Sequence, residues 1–243
     1  MTLPIDRLAQ ASRWRRRALA EKAALALGLL VLALILPPWP GAALVLASAW
    51  TAALLGAHIP LHDWLRLNAA PMGFVLTGAA ALAVELGPDG LTLAADQGRA
   101  ALAVVLRASA SASCLLLLAV TTPTPELVRG LRRLGLPPEI ADLALLIWRF
   151  VFLLLDAATA IRIAQEARLG WSSWRRGLRS LGLLIALLLP RAMERARRLE
   201  IGLAARGFDG ALPMLSPVRP VSAARIGLIV TGQALLAGVS LWF

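Results

Sequence analysis

The chain is poor in the residues on which most enzyme chemistry depends. Among 243 residues there is one lysine, Lys22, one cysteine, Cys114, and two histidines, His58 and His62. A lone cysteine excludes an internal disulfide, a thiolate zinc site and any C-x-x-C redox pair. There is no Gly-Lys dipeptide, so the phosphate-binding loop G-x-x-x-x-G-K-[ST], whose lysine must reach the phosphates, is absent. Hydrolysis of ATP by that route is excluded; if the chain serves a pump, another subunit is the engine. His58 and His62 are four residues apart, which would put them on one helix face with Asp63 alongside. Two imidazoles at a membrane edge are a weak transition-metal site, and interfacial anchoring is the expected role.

What is abundant is apolar. A hydrophobic content of 59% and a mean hydropathy of +0.74 indicate an integral membrane protein. The net charge of +11 comes almost wholly from arginine. Basic residues interleaved with membrane-length apolar runs mark the cytoplasmic side of a membrane protein rather than a nucleic-acid surface.

Apolar runs at 23–36, 41–57, 69–86, 100–120 and 224–242 predict about five transmembrane helices. The first two make a hairpin about Pro37-Pro38-Trp39-Pro40, an interruption that argues against a cleaved signal peptide. Arg7, Arg13, Arg15, Arg16, Arg17 and Lys22 place the N-terminus in the cytoplasm, and loop 87–98, with Asp89 and Asp96 but no basic residue, falls outside. Arg107 lies inside the fourth run, where charge demands a partner or a water path; Glu85 is one candidate. A structural pairing of Arg107 is the first reading and contact with a membrane partner the second. Small residues at Gly73, Gly78 and 79–81, and again at 108–113, predict close helix packing.

The stretch 123–138 reads as a short amphipathic helix between prolines, suited to the membrane surface. Pro138 then opens a helical pattern that runs to Leu169, roughly 45 Å at 1.5 Å per residue. Arg149 and Asp156 interrupt its apolar middle, and Arg162, Arg168, Arg175, Arg176 and Arg179 oppose sending its end outside. Segment 123–207 is therefore expected to be a cytoplasmic-side assembly of amphipathic helices; the alternative has six spans, with 140–157 and 178–190 as an added hairpin. In 190–207, PRAMERARRLEIGLAARG, Pro190 reads as a first helical position and Gly207 as the residue past the end. Ala192, Ala196, Leu199 and Leu203 share one face.

Two helices thus end alike, at Ala167-Arg168-Leu169-Gly170 and Ala205-Arg206-Gly207. An arginine in a last turn offsets the negative end of the helix dipole, which is explanation enough on spacing alone. The alternative is that the guanidinium fork enters an acidic groove on a partner.

Several stretches bear on that choice: Thr121-Thr122-Pro123, LRRLGLP at 131–137, Trp148-Arg149-Phe150, AQEAR at 164–168 and Ala205-Arg206-Gly207-Phe208. Together they resemble the transmembrane coupling (T) component of energy-coupling-factor (ECF) ABC transporters, most closely the CbiQ type of cobalt and nickel uptake systems. The likeness is loose over the whole chain and closer over 121–210. It implies an all-α integral membrane protein: a membrane domain of four spans at 1–120, a cytoplasmic coupling domain at 121–210 with two long crossed helices, and a linker with the last span at 211–243. It further implies a non-catalytic subunit in a multi-pass bacterial inner-membrane importer. Ala167, Arg168, Leu169, Ala205, Arg206 and Gly207 would dock on a pair of ATP-binding cassette subunits, the first motif departing from Ala-Arg-Gly by inserting Leu169. Arg149 and Asp156 would brace the crossed helices. ATP and Mg would belong to those partners, and no cofactor or metal to this chain. A separate substrate-binding membrane subunit would carry cobalt or nickel, with a small accessory membrane subunit, and membrane lipids would surround the spans; nucleic acid is no partner. The competing expectation is a self-contained membrane carrier or enzyme, for which the residues offer only the histidine pair and scattered carboxylates.

Overall fold

The computed structural model describes residues 4–83, 85–87, 90–92, 95–207 and 220–242. Their order is α1 (Pro4–Ala11), a short 3-10 helix (Arg13–Arg16), α2 (Leu19–Ile35), α3 (Ala43–Thr51), α4 (Leu61–Ala83), the strands β1 (Glu85–Gly87) and β2 (Gly90–Thr92), then α5 (Ala95–Thr121), α6 (Thr124–Arg133), α7 (Pro138–Ala167), α8 (Trp174–Ala204) and α9 (Ala223–Trp242). The class is all-α, interrupted only by that three-residue antiparallel hairpin among the described residues. The chain divides into two compact units, one of 4–127 with 218–243 and the other of 128–217 together with 1–3.

In the first unit α5 is the central helix. Ser109, Ala110, Ser113, Cys114, Leu117, Val120 and Thr121 recur at helical spacing and are buried. Small side chains there let α2, α3 and α4 approach closely, and polar atoms join them. Trp50 Nε1 donates to Ser113 Oγ at 3.3 Å, and that hydroxyl donates to Asn68 Oδ1 at 3.1 Å. The indoles of Trp50 and Trp64 meet edge to face at 6.3 Å. On the other side, Gln233 of α9 fits the notch left by Gly28 and donates to the Ala24 and Leu25 carbonyls at 3.0 and 3.1 Å. Gly73 and Gly78 of α4, by contrast, meet no neighbouring atom. The small residues at 108–113 thus serve internal packing, and those two of α4 do not.

Helix α2 ends because Pro37 forces Leu36 into extended backbone. Arg107 Nη2 donates 3.0 Å to the freed Leu36 carbonyl, which gives the intramembrane arginine a structural partner at a helix end. The side chain of Glu85, the expected partner, lies outside the described residues.

The first turn of α2 holds two adjacent charges aimed at different helices. Lys22, 1% exposed, donates Nζ to Glu126 Oε2 of α6 at 2.9 Å and to the Thr121 carbonyl at 3.2 Å. Glu21, equally buried, accepts from the Ser222 backbone N–H at 3.0 Å and pairs with Arg225 of α9 at 3.4 Å.

Three sequence expectations are corrected. Five described helical segments are long and apolar enough to cross a membrane, but they are Pro38–Gly56, Leu61–Leu82, Gly98–Thr121, Pro138–Ala167 and Ala223–Trp242. The run at 23–36 forms α2, whose 17 residues, about 26 Å at 1.5 Å per residue, stand at the lower limit of crossing length. Helix α7 qualifies because its 30 residues are unbroken. Its exclusion rested on the arginines beyond it, a charge argument that length does not address. Second, Pro190 opens no helix: it sits inside α8, which runs continuously for 31 residues. A proline there leaves the Ala186 carbonyl without its helical donor but does not end the helix. Third, His58 and His62 do not share a helix. His58 stands in the loop before α4 with left-handed backbone, φ 55°, while His62, Asp63 and Arg66 lie within α4. Pro60 between them disfavours helical backbone at Ile59.

Removing one member of a buried ion pair strands the other without water. Lys22→Met is expected to lower unfolding stability by about 3 kcal/mol, with most of the loss recovered in Lys22→Met/Glu126→Leu. Thermal unfolding of the detergent-solubilised chain, wild type against both variants, measures this.

Candidate docking site at two helix ends

The second unit is built on α7 and α8. Six residues join the end of α7 to the start of α8, and α8 turns back along α7. Near the turn, Gln165 Nε2 donates to the Ser180 carbonyl at 3.0 Å. Farther away, Leu146, Phe150 and Leu154 of α7 line an apolar groove with Ala192 and Ala196 of α8, and the groove continues to Leu199 and Leu203. The apolar face foreseen for 190–207 is therefore the one turned to α7.

This connectivity separates the two arginines. Arg168 precedes α8 and Arg206 follows it, so the 31 residues between Trp174 and Ala204 hold them roughly 45 Å apart at 1.5 Å per residue. Both side chains are exposed, as are Ala167, Leu169, Ala205 and Gly207. Arg149 and Asp156 are also exposed, within α7.

The two ends share one backbone geometry. At the first, the N–H groups of Arg168 and Leu169 donate to the Gln165 and Glu166 carbonyls at 3.2 and 3.0 Å. At the second, those of Arg206 and Gly207 donate to Leu203 and Ala204 at 3.0 and 3.1 Å. The third residue of each tripeptide is left-handed, with φ 56° at Leu169 and 71° at Gly207. The relation between the motifs is thereby corrected. Leu169 does not intervene before the glycine; it occupies the position that Gly207 holds in the other. Phe208, quoted with the second motif, lies outside the described residues.

Gly170 has a different task. Its N–H donates 2.8 Å to the Gln165 carbonyl, completing the helix-closing motif. A methyl group there would stand 2.9 Å from that carbonyl oxygen and 2.8 Å from Ser180 Oγ. Ser180, the one buried residue of α8, donates Oγ to the Gly170 carbonyl at 2.9 Å. Trp171 Nε1 donates to Gln165 Oε1 at 3.2 Å, and the Arg162 guanidinium lies over the Trp171 ring at 5.2 Å. The first arginine is thus mounted on a cross-braced turn.

His62 Nδ1 lies 3.2 Å from Asp63 Oδ1, on an exposed part of α4. Among the described residues no group of three or more His, Cys, Asp or Glu side chains is placed to hold a metal ion. Sequence reasoning missed the Glu21 and Lys22 pairings and the knot about Gln165 and Ser180. The first had a signal, since the chain's single lysine stands next to a glutamate at the start of an apolar run. The second had none, because glutamine and serine at that separation are ordinary.

Residues 11–216 match the family model described as cobalt transport protein, CbiQ. The cobalt transport protein CbiQ of Rhodobacter capsulatus is 50% identical over 239 residues, covering 98% of each chain. That of Salmonella typhimurium is 32% identical over 220 residues, covering 85% of this chain and 97% of its own. A protein of Methanocorpusculum labreanum, provisionally described as a fused cobalt transport protein, CbiMQ, is 27% identical over 203 residues, which take up 77% of this chain and 33% of that one.

The brace at the first end can be tested without a partner. Gly170→Ala forces backbone at Gln165 to move and is expected to cost about 1–3 kcal/mol. Gly182→Ala, within α8 and with open space around it, is expected to stabilise by about 0.5–1 kcal/mol. Opposite shifts in thermal unfolding of the two alanine variants are the expected result.

Proposed function

The chain belongs to the CbiQ family of cobalt transport proteins, and from that premise we propose that it is the transmembrane coupling subunit of an ECF-type ABC importer. It is a multi-pass membrane component of cobalt transport. The finer reading is that it hydrolyses nothing itself and transmits the movement of two ATP-binding cassette subunits, which hold ATP and Mg, to a separate substrate-binding membrane subunit. Cobalt is the favoured cargo and nickel the alternative. On this reading α7 and α8 lie along the cytoplasmic face of the inner membrane rather than crossing it, with the N-terminus and both arginine tips on that side.

One observation carries this reading: two exposed arginines, set in tripeptides of matching backbone geometry, stand at opposite ends of one long helix. A single arginine at a helix end needs no partner to explain it. Two such ends, about 45 Å apart at 1.5 Å per residue, suit two separate docking grooves, one on each member of an ATPase pair. A guanidinium fork binds carboxylate bidentately and stays charged at every relevant pH, which fits it to a contact that must survive load. α8 runs back along α7 and is tied to it at the turn by Gln165 and Ser180, so a movement of either end is passed to the neighbouring helix. Arg149 and Asp156, both on α7, are assigned to bracing that pair against its surroundings. Arg107 is assigned to the Leu36 carbonyl, and contact with a membrane partner is the alternative.

The provisionally described fusion supports a further membrane component: the match occupies one third of that protein and leaves the rest for another part of the same machine. A self-contained carrier would instead move cobalt as the purified chain alone.

Arg206→Glu and Arg168→Glu are each expected to lower cobalt uptake by more than tenfold and to reduce co-purification of the ATP-binding subunits, since reversing one charge in an interface ion pair costs several kcal/mol. Uptake of radiolabelled cobalt in cells, with affinity purification from the same membranes, measures both. Wild-type uptake together with normal co-purification in Arg206→Glu overturns the assignment.

A further inference from the structure

We infer that the turn between α2 and α3 is the floor of a recess in the membrane end of the first unit, and that Arg107 there binds the phosphate of a phospholipid drawn below the ordinary headgroup level. The inference concerns the bilayer and does not depend on the docking role proposed above.

Contacts between the helices set their levels. Lys22 meets Thr121 at one end of the α2–α5 pair, and Leu36 meets Arg107 at the other. Those two levels are about 21 Å apart at 1.5 Å per residue. Ser240, near the end of α9, is buried beside Gly41, so α2, α3 and α9 all finish close to the level of Arg107. Helices α4 and α5 do not. Ser109 Oγ donates to Met72 Sδ at 3.0 Å, and from there the two helices rise together, α4 to Ala83 and α5 to Gly98, about 14 Å beyond Arg107. A hydrocarbon core of about 30 Å suits the longer pair and exceeds the shorter set by about 9 Å.

The residues on the two flanks answer to that difference. On the α4–α5 side, exposed Phe74, Leu76 and Leu102 want hydrocarbon at and above the level of Arg107. At the turn the side chains want the opposite: Trp39 is 73% and Trp242 87% exposed, and tryptophan collects at the headgroup boundary. Arg107 stands half-buried between them in level, and among the described residues its guanidinium meets only the neutral Leu36 carbonyl. A carbonyl satisfies an N–H but leaves the charge uncompensated. Local thinning of the bilayer is how an arginine at such depth is accommodated. A phosphate diester brings the missing charge and matches the guanidinium fork with two hydrogen bonds. Its source is lipid rather than free phosphate, because exposed Leu34 and Ile35, just below the turn, need an acyl chain beside the same headgroup.

Nitroxide labels report depth through their relative accessibility to oxygen and to a water-soluble nickel chelate. Ile35→Cys and Phe74→Cys are labelled separately in the full chain, where Cys114 is buried and stays unlabelled. The vesicles are phosphatidylethanolamine with phosphatidylglycerol. In a flat bilayer the label at position 74 is the shallower of the two; the recess reverses that order, placing position 35 shallower by about 5 Å. Arg107→Leu is expected to sink the label at position 35 below that at 74, and Arg107→Lys to keep it near its wild-type depth. Vesicles of phosphate-free galactolipid should have the effect of Arg107→Leu on the unaltered arginine, an arm that stands even if the leucine variant fails to fold. A label at position 35 deeper than that at 74 with Arg107 in place removes the recess and leaves that flank to a protein partner. Unchanged depth in Arg107→Leu means that the arginine does not hold the lipid, and unchanged depth in galactolipid means that water meets it instead of phosphate; either result overturns the site.

Discussion

Lys22 has no water to turn to, and the packing of the first unit depends on how that is solved. An ammonium buried to 1% exposure must find anionic or carbonyl oxygen within the protein, and it finds both, in Glu126 and Thr121. Those two residues flank the break between α5 and α6, so a single side chain fixes where α5 stops. Its neighbour Glu21 acts on the opposite side by holding the start of α9 through Ser222 and Arg225. One helical turn therefore gathers three helix ends from positions about 100 and 200 residues away in sequence. A pairing of this kind specifies register more than it stabilises, since desolvation offsets much of the attraction. An apolar pair of the same size could slide by a turn; Lys22 and Glu126 cannot.

The same logic recurs farther along the helices with weaker groups. Arg107 satisfies the carbonyl that Pro37 frees, and Gln233 reaches over Gly28 to two carbonyls of α2. Ser113 joins Asn68 to Trp50. Apolar packing in a bilayer has no hydrophobic drive between helices, because lipid chains are as apolar as leucine. Polar contacts at intervals along α2, α5 and α9 supply the specificity that burial from water supplies in a soluble core. The exposure of leucine and isoleucine on α9, a helix long and apolar enough to cross, fits the same solvent.

Sequence reasoning recovered what periodicity and composition encode. The class, four of the five crossing-length segments, the start of α7 at Pro138 and the helix ends at both arginines were legible, because each is a local pattern read over a few turns. Its errors share a cause: a proline or a pair of charges was given local weight that tertiary context overrode. Pro190 looked like a helix start because proline is well tolerated there, yet α8 continues through it. His58 and His62 matched a helical spacing, but Pro60 stands between them. Leu169 was taken as an interruption because the alphabet places a glycine one residue later. Only the left-handed backbone at Leu169, shared with Gly207, shows which residues of the two motifs correspond. Lys22 counted first as the trace of a missing residue type, and its isolation is better understood as a demand for placement.

The two arginine ends gain meaning from what lies behind them. A docking residue on a loose terminus can bind a partner but cannot transmit its movement, since the linker absorbs the displacement. Arg168 avoids this through the knot of Gln165, Gly170, Trp171 and Ser180, which ties the end of α7 into the first turns of α8. Arg206 avoids it through α8 itself, whose last turns line the apolar groove against α7 by way of Leu199 and Leu203. One end is braced by hydrogen bonds across a turn and the other by side-chain packing along a helix. On the proposed reading the subunit is a lever whose two ends are held differently, one by hydrogen bonds across a closed turn and one along the face of a helix.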